Sequence, residues 1–272
     1  MSRNVLSTDD DFEIFQFGDV SAYIAPDGVT LVEINRPPNN FFDVSLISSL
    51  ADCYEALETL TTCRVIVLCS RGKNFCSGAD FSDRALESGA MPFQVSDLYL
   101  EGARLFRSHI PVVAAVQGAA IGGGLGLACS ADFRVASKES KFSANFAHLG
   151  FHQGFGLTVS LPGIVGQQRS WELLYTAKRI SGTDALAMGL CDRLAGSETL
   201  REEATAFARE IARSAPLAVR SIRVTMRANL LEELDSALER EASEQNVLRT
   251  TNDFKEGVRA MSERRSPRFY GN

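Results

Sequence analysis

The sequence predicts an α/β protein built around a mostly parallel sheet. Three observations carry this. Apolar runs such as "RVIVLCS" and "PVVAAVQGAA" lack the polar alternation of a half-exposed strand, helix-period segments separate them, and the final third of the chain is helical by pattern.

Taken in order, residues 1–12 are polar and acidic and are expected to fray as a flexible N-terminus. "FEIFQFG", "SAYIAPDG" and "VTLVEIN" then read as strands divided by Gly, Asp and Pro turn signals. "VSLISSLADCYEALETLTT" repeats apolar residues at helical spacing and leads into "RVIVLCS", one β-α-β step with a strand buried on both faces. A second step runs from "SDLYLEGARLFRSHI" as helix to "PVVAAVQGAA" as strand, and a third from "GGGLGLACS" to "ADFRVASK". Beyond Gln167 the pattern is helical through "QRSWELLYTAKR", "SGTDALAMGL", "LREEATAFAREIARSAP" and the long "LAVRSIRVTMRANLLEELDSALEREASEQNVLRT", interrupted at Gly182, Gly189 and Pro216.

The chain has 272 residues, 45% hydrophobic and 23% charged, enough to bury a large core. Its net charge of −6, with no block of Lys and Arg, argues against nucleic acid or an anionic membrane as partner and favours a small-molecule substrate. The six cysteines form no C-x-x-C pair, no apolar run approaches a membrane span and no signal-like segment opens the chain. A cytoplasmic protein without a bound metal is therefore expected. Gly122–Gly124 in "IGGGLG" place backbone N–H groups at a helix start where a charged or polarised ligand atom can approach, although a glycine triple also serves a plain strand-to-helix turn.

Read in sequence, "INRPPNNFF", "RGKNFCSGADF", "PVVAAVQGAAIGGGLGLACSADFRVAS", "FSANFAHLGFHQGFG" and "DFKEGVRAMSERRSPRFYG" resemble the successive signatures of the crotonase superfamily, the enoyl-CoA hydratase/isomerase family, from about residue 20 to the C-terminus. The resemblance implies a spiral of β-β-α repeats over residues 13–200 with the acyl-CoA site, and a helical region over 201–272 that closes over CoA and forms homotrimers or dimers of trimers. Coenzyme A is then part of the substrate, and no separate cofactor is implied. Two backbone N–H groups hold the thioester oxygen as an enolate develops on it, and the resemblance points to Ser77 and Gly123 for them.

It further implies that Arg36 and Pro37 of "INRPP" lie along the pantetheine, that Cys76 and Gly78 offer main-chain groups to the adenine, and that Gly122, Tyr99 and Phe146 line the acyl pocket. Arg264 and Arg265 fall near the adenosine phosphate, where a solvated charge pair is the alternative. Phe254 falls where one subunit touches a neighbour's ligand, where a core phenylalanine is the alternative.

The positions matching the two hydratase glutamates are Gly126 and Phe146, and that matching the aspartate of dienoyl-CoA isomerases is Gly154. Neither glycine nor phenylalanine transfers a proton, so two-glutamate hydration is disfavoured. The "GGGLG" pattern with an aromatic at the second site is similar to 4-chlorobenzoyl-CoA dehalogenase, but the nucleophilic aspartate of that enzyme also falls at Gly154. Asp80 is read as a turn residue. His152 in "GFHQGFG" is the remaining candidate acid–base group, or else a hydrogen-bonded loop histidine, with Tyr99 and His148 behind it. The functional expectation is a crotonase-type lyase or isomerase acting through a thioester enolate. The alternatives are a non-catalytic acyl-CoA-binding protein and a C–C lyase or decarboxylase of the same fold.

Overall fold

The computed structural model describes residues 5–9, 12–81 and 95–272. The chain opens with antiparallel strands β1 (Val5–Asp9), β2 (Phe12–Phe17), β3 (Val20–Ile24) and β4 (Val29–Ile34). Val5–Asp9, in the segment expected to fray, thus pairs along β2 as an edge strand. Helix α1 (Val44–Glu58) starts where the Asp43 carboxylate accepts the Leu46 amide, satisfying one of the N–H groups a helix start leaves over. It crosses to β5 (Val65–Ser70), which lies parallel to β4.

Helix α2 (Val95–Arg107) leads to β6 (Val112–Val116), parallel to β5. The sequence expectation of one strand through "PVVAAVQGAA" fails at Gly118, whose φ of 56° turns the chain. Residues 119–121 therefore leave the main sheet and form β7 (Ala119–Ile121) in a small second sheet with β9 (Lys141–Ser143) and β10 (Ile180–Ser181). Helix α3 (Gly123–Ser130) follows directly and returns the chain to β8 (Phe133–Ser137) beside β6. The main sheet runs β1-β2-β3-β4-β5-β6-β8-β11, with β11 (Arg193–Ala195) parallel to β8.

Both faces of the parallel strands are covered, as the apolar runs require. Ile66 and Leu68 face the main core with Leu46, Leu50 and Phe106. Val65, Val67 and Cys69 face the other way, onto Leu200, Ala204, Ala208 and Ala212 of helix α7 (Leu200–Ala212). The alanines recur every fourth position, so one smooth stripe lets the helix lie close to the sheet. Helices α4 (Leu157–Val165), α5 (Gln167–Thr176) and α6 (Gly182–Ala187) precede α7, and α8 (Pro216–Leu248) and α9 (Asn252–Ser262) follow it. The C-terminal third is helical, as its pattern predicts.

The long helix α8 is fixed by charge as well as by packing. Arg223 Nε and Arg227 Nη1 reach the Asp132 carboxylate at 2.8 and 2.9 Å, and Arg227 also donates to the Ser130 carbonyl at the end of α3. Asp132 in turn accepts the Val112 amide at the start of β6. One carboxylate thus ties a strand, the α3 exit and α8 together. Removing it would leave two buried guanidinium groups without their counter-charge. Asp132→Ala is expected to lower the unfolding free energy by about 3 kcal/mol or more, measured by urea denaturation; a loss below about 1 kcal/mol would mean water replaces the carboxylate.

Candidate active site

Two chain segments meet to form the site. The amide of Cys76 donates to Ala119 O at 3.0 Å and its carbonyl accepts the Ile121 amide at 3.1 Å, a parallel bridge that sets "CSGAD" beside "IGGG". Glycines make the approach possible. A Cβ at Gly124 would collide with the Cys76 carbonyl oxygen, and one at Gly78 would sit 2.9 Å from Ile121 O and 3.5 Å from Gly123 N. The bridge thereby brings the N-terminus of α3 against the residues that follow Cys76.

The two expected donors differ in whether their amides already have an acceptor. Gly123 stands at the start of α3, and its amide has no acceptor among the described residues. The Ser77 amide donates to Asn39 O at 3.0 Å, so it already has an acceptor within the chain. Two residues on, the Ala79 amide has no acceptor among the described residues. Both Ala79 and Gly123 line a cavity of about 860 Å³, within the size range of small-molecule sites.

The cavity runs from a charged mouth to an aromatic interior. Lys73, Glu139, Lys141, Arg179 and Arg264 line it and are exposed, whereas Phe42, Phe146, Phe151 and Phe155 line it and are buried. The Phe42 and Phe155 rings lie 5.3 Å apart. Phe155 adopts φ 59°, unusual for a non-glycine residue, and fills the space beside Gly126, where a Cβ would approach Phe155 Cβ to 2.7 Å. Asp80, expected as a turn residue, also lines the cavity.

Tyr99 and Gln245 supply polar groups in this interior. The Tyr99 hydroxyl donates to Gln245 Oε1 at 2.9 Å, and Gln245 Nε2 donates to His152 O at 2.8 Å. Burial holds the Tyr99 phenol well above its usual pKa of 10, and the nearby Glu241 charge adds to the shift. Tyr99 is thus a neutral hydrogen-bonding group rather than a base.

Of the other residues expected here, Gly78, Gly122, Phe146 and Arg264 line the cavity. His152 does not: its Nδ1 lies 2.8 Å from the neighbouring Gln153 carbonyl, the arrangement of a hydrogen-bonded loop histidine. His148 is exposed and also lies outside the lining. Arg36 is held by Asp19, Asp43 and Ser45, while Pro37, in a cis bond to Pro38, packs against Gly72; neither reaches the cavity, which takes Phe41 and Phe42 from the same loop instead. Cys76 is buried, with its backbone spent on the bridge and its thiol pushed up to about 12 by burial.

Arg265 is engaged by Glu256, at 2.6 and 2.9 Å, and by Glu263, and it does not line the cavity. Phe254, expected at a neighbouring subunit's ligand, is buried in its own chain against Phe151, at 4.9 Å between ring centres, and Phe81. The residues that sequence reasoning missed are Ala79, Phe42, Asn145, Phe155, Arg179 and Gln245. Ala79 adjoins the glycine of "SGAD" and was within reach of the motif; Gln245 lay in an unremarkable helical stretch.

The fold is a mixed sheet wrapped by helices, with a glycine-built helix start at the wall of an aromatic cavity. Residues 25–272 match the model of the enoyl-CoA hydratase/isomerase family, and the chain belongs to that family. It is 32% identical to an enoyl-CoA isomerase/hydratase of Mycosarcoma maydis, covering 92% of this chain and 97% of that protein. It is also 30% identical to 1,2-epoxyphenylacetyl-CoA isomerase of Escherichia coli, over 90% and 95% of the two chains. The crystal structure of an enoyl-CoA hydratase/isomerase from Pseudoalteromonas atlantica superposes with a TM-score of 0.82 at 28% identity, covering 93% of this chain and 100% of that one.

Behind the cavity, Glu241 accepts the Gly156 amide at 2.9 Å and both the amide and hydroxyl of Thr158, capping the start of α4 from α8. Burial outweighs these bonds and raises its pKa from 4.5 to about 7. Between those values the native carboxyl is protonated while the unfolded one is ionised, so stability falls as pH rises through that window and levels off above it. Urea unfolding between roughly pH 5 and 7 should show a shallower fall for Glu241→Gln than for the parent protein; equal slopes would count against this assignment.

Proposed function

We propose that the chain is an enzyme acting on acyl-CoA thioesters through an enolate, whose oxygen is held by the main-chain N–H groups of Ala79 and Gly123. The observation that carries this reading is the pair of amides without acceptors, on two segments locked side by side, at the wall of a cavity with an aromatic interior. Gly123 adds the positive end of α3. A single preorganised donor in a dry site is worth roughly 3 kcal/mol toward a developing oxyanion. The exposed cations at the mouth, Lys73, Lys141, Arg179 and Arg264, suit the phosphates of CoA.

Hydration by paired carboxylates is disfavoured. The positions that would supply the carboxylates carry Gly126 and Phe146, and the third, Gly154, is closed to any side chain by the Tyr99 hydroxyl. Isomerisation is the better-supported class, because it needs proton movement at the enolate but no activated water. The same vacant positions favour, as a second reading, an acyl-CoA-binding protein without turnover. Leu217 and Met226, exposed at 79% and 78% on α8, support assembly through the C-terminal helices.

Calorimetry should show a hexanoyl-CoA thioester binding about tenfold or more tightly than the thioether analogue that lacks the carbonyl oxygen, since two hydrogen bonds are lost. Crotonyl-CoA hydration should stay near background. Equal affinities would remove the oxyanion site, and rapid hydration would overturn the reaction class. Turnover of other CoA esters in a broad panel separates the enzyme from the binding protein. Light scattering at micromolar concentration should report a trimer or a multiple of it; a monomer would overturn the assembly.

A further inference from the structure

Tyr99 and Gln245 come from helices α2 and α8 and meet inside a cavity whose buried wall is otherwise phenylalanine and leucine. Their hydrogen bonds fix their orientation. Gln245 Nε2 donates to the His152 carbonyl at 2.8 Å, which leaves Oε1 to accept the Tyr99 hydroxyl at 2.9 Å. The Phe155 amide also approaches the phenol oxygen. This arrangement leaves the second hydrogen of Gln245 Nε2 without a partner among the described residues, whereas the phenol oxygen already donates to Gln245 and accepts from the Phe155 amide. Gly154 keeps both atoms uncovered. A Cβ there would collide with the phenol oxygen and stand 2.7 Å from Gln245 Nε2.

A hydrocarbon acyl chain would strip water from this donor and return nothing, which is unfavourable for a buried polar group. A hydroxyl or an oxo oxygen can accept from the amide. A carboxylate would bury its charge against this aromatic wall, which is costly unless a cation pairs with it.

We infer that the Tyr99–Gln245 pair recognises an uncharged oxygen substituent, hydroxyl or oxo, carried on the acyl group apart from the thioester oxygen. The inference rests on the acyl-thioester reading and narrows its substrate class to neutral oxygenated acyl groups. The pair is then a specificity determinant rather than only a brace between α2 and α8.

Calorimetric titration of the full chain with hexanoyl-CoA, its 3-hydroxy, 3-oxo and 5-hydroxy counterparts, and adipyl-CoA as the anionic case tests this. At least one neutral oxygenated ester should bind about tenfold more tightly than hexanoyl-CoA, and adipyl-CoA should gain nothing. Tyr99→Phe should erase the preference, bringing the ratio of the oxygenated ester's Kd to that of hexanoyl-CoA to within about twofold of one. Gln245→Leu should do the same, and serves if the tyrosine variant proves unstable. Affinities all within about twofold in the parent protein, or a preference that survives both substitutions, would overturn the inference and leave the thioester reading standing. Failure of hexanoyl-CoA itself to bind would overturn the thioester reading and this inference with it.

Discussion

The site depends on a backbone-to-backbone contact between Cys76–Gly78 and Ile121–Gly124. Two amide hydrogen bonds fix the register of the bridge, and Gly124 and Gly78 remove the side chains that would hold the segments apart. Everything polar at the reacting end follows from this. The bridge uses the Cys76 amide, Asn39 uses the Ser77 amide, and the carbonyl of Gly78 accepts the Phe42 amide at 3.0 Å. The Ala79 N–H has no acceptor among the described residues, and Ala79 lines the same cavity as Gly123 because the bridge aligns the two segments.

Helix α8 holds this arrangement from behind through side chains at successive heights. Arg227 caps the carbonyl end of α3, so a guanidinium lies at the negative pole of the helix whose positive pole faces the cavity. Farther along, Glu241 caps the start of α4 and Gln245 reaches Tyr99. One helix therefore sets the exit of α3, the entry of α4 and the polar wall of the pocket. Its buried face carries arginine, glutamate and glutamine as well as Leu234 and Leu238, which explains why its sequence shows so little apolar periodicity.

What was legible in the sequence was what local pattern encodes. The buried parallel strands were readable in "VIVLCS" and "PVVAAV" because both faces demand apolar residues, and the glycine triple marked the start of α3. The commitments of individual groups were not legible. The Ser77 amide finds its acceptor at Asn39, far away in the chain, and the His152 ring turns toward Gln153. Of the two readings of Arg265, the charge pair with Glu256 needed the fold to bring the two together. The pairing of Tyr99 with Gln245 spans most of the fold, and no spacing rule connects a residue on α2 to one near the end of α8.

Gly126 and Gly154 are linked by volume to aromatic side chains. Gly126 lies against Phe155, and Gly154 lies against the Tyr99 hydroxyl, so the space beside each glycine is taken by an aromatic from elsewhere in the fold. Phe155 holds an unfavourable left-handed backbone to reach that place, near Phe42. A carboxylate introduced at 126 or 154 would therefore disturb that packing. At 126 it would displace Phe155 and open the wall that Phe42 shares. At 154 it would evict the phenol, free Gln245 and bury a charge in the same interior as Glu241, where desolvation would favour its protonated form. Because aromatic side chains take the space beside Gly126 and Gly154, the polar side chains left to line that part of the cavity are the neutral Tyr99 and Gln245.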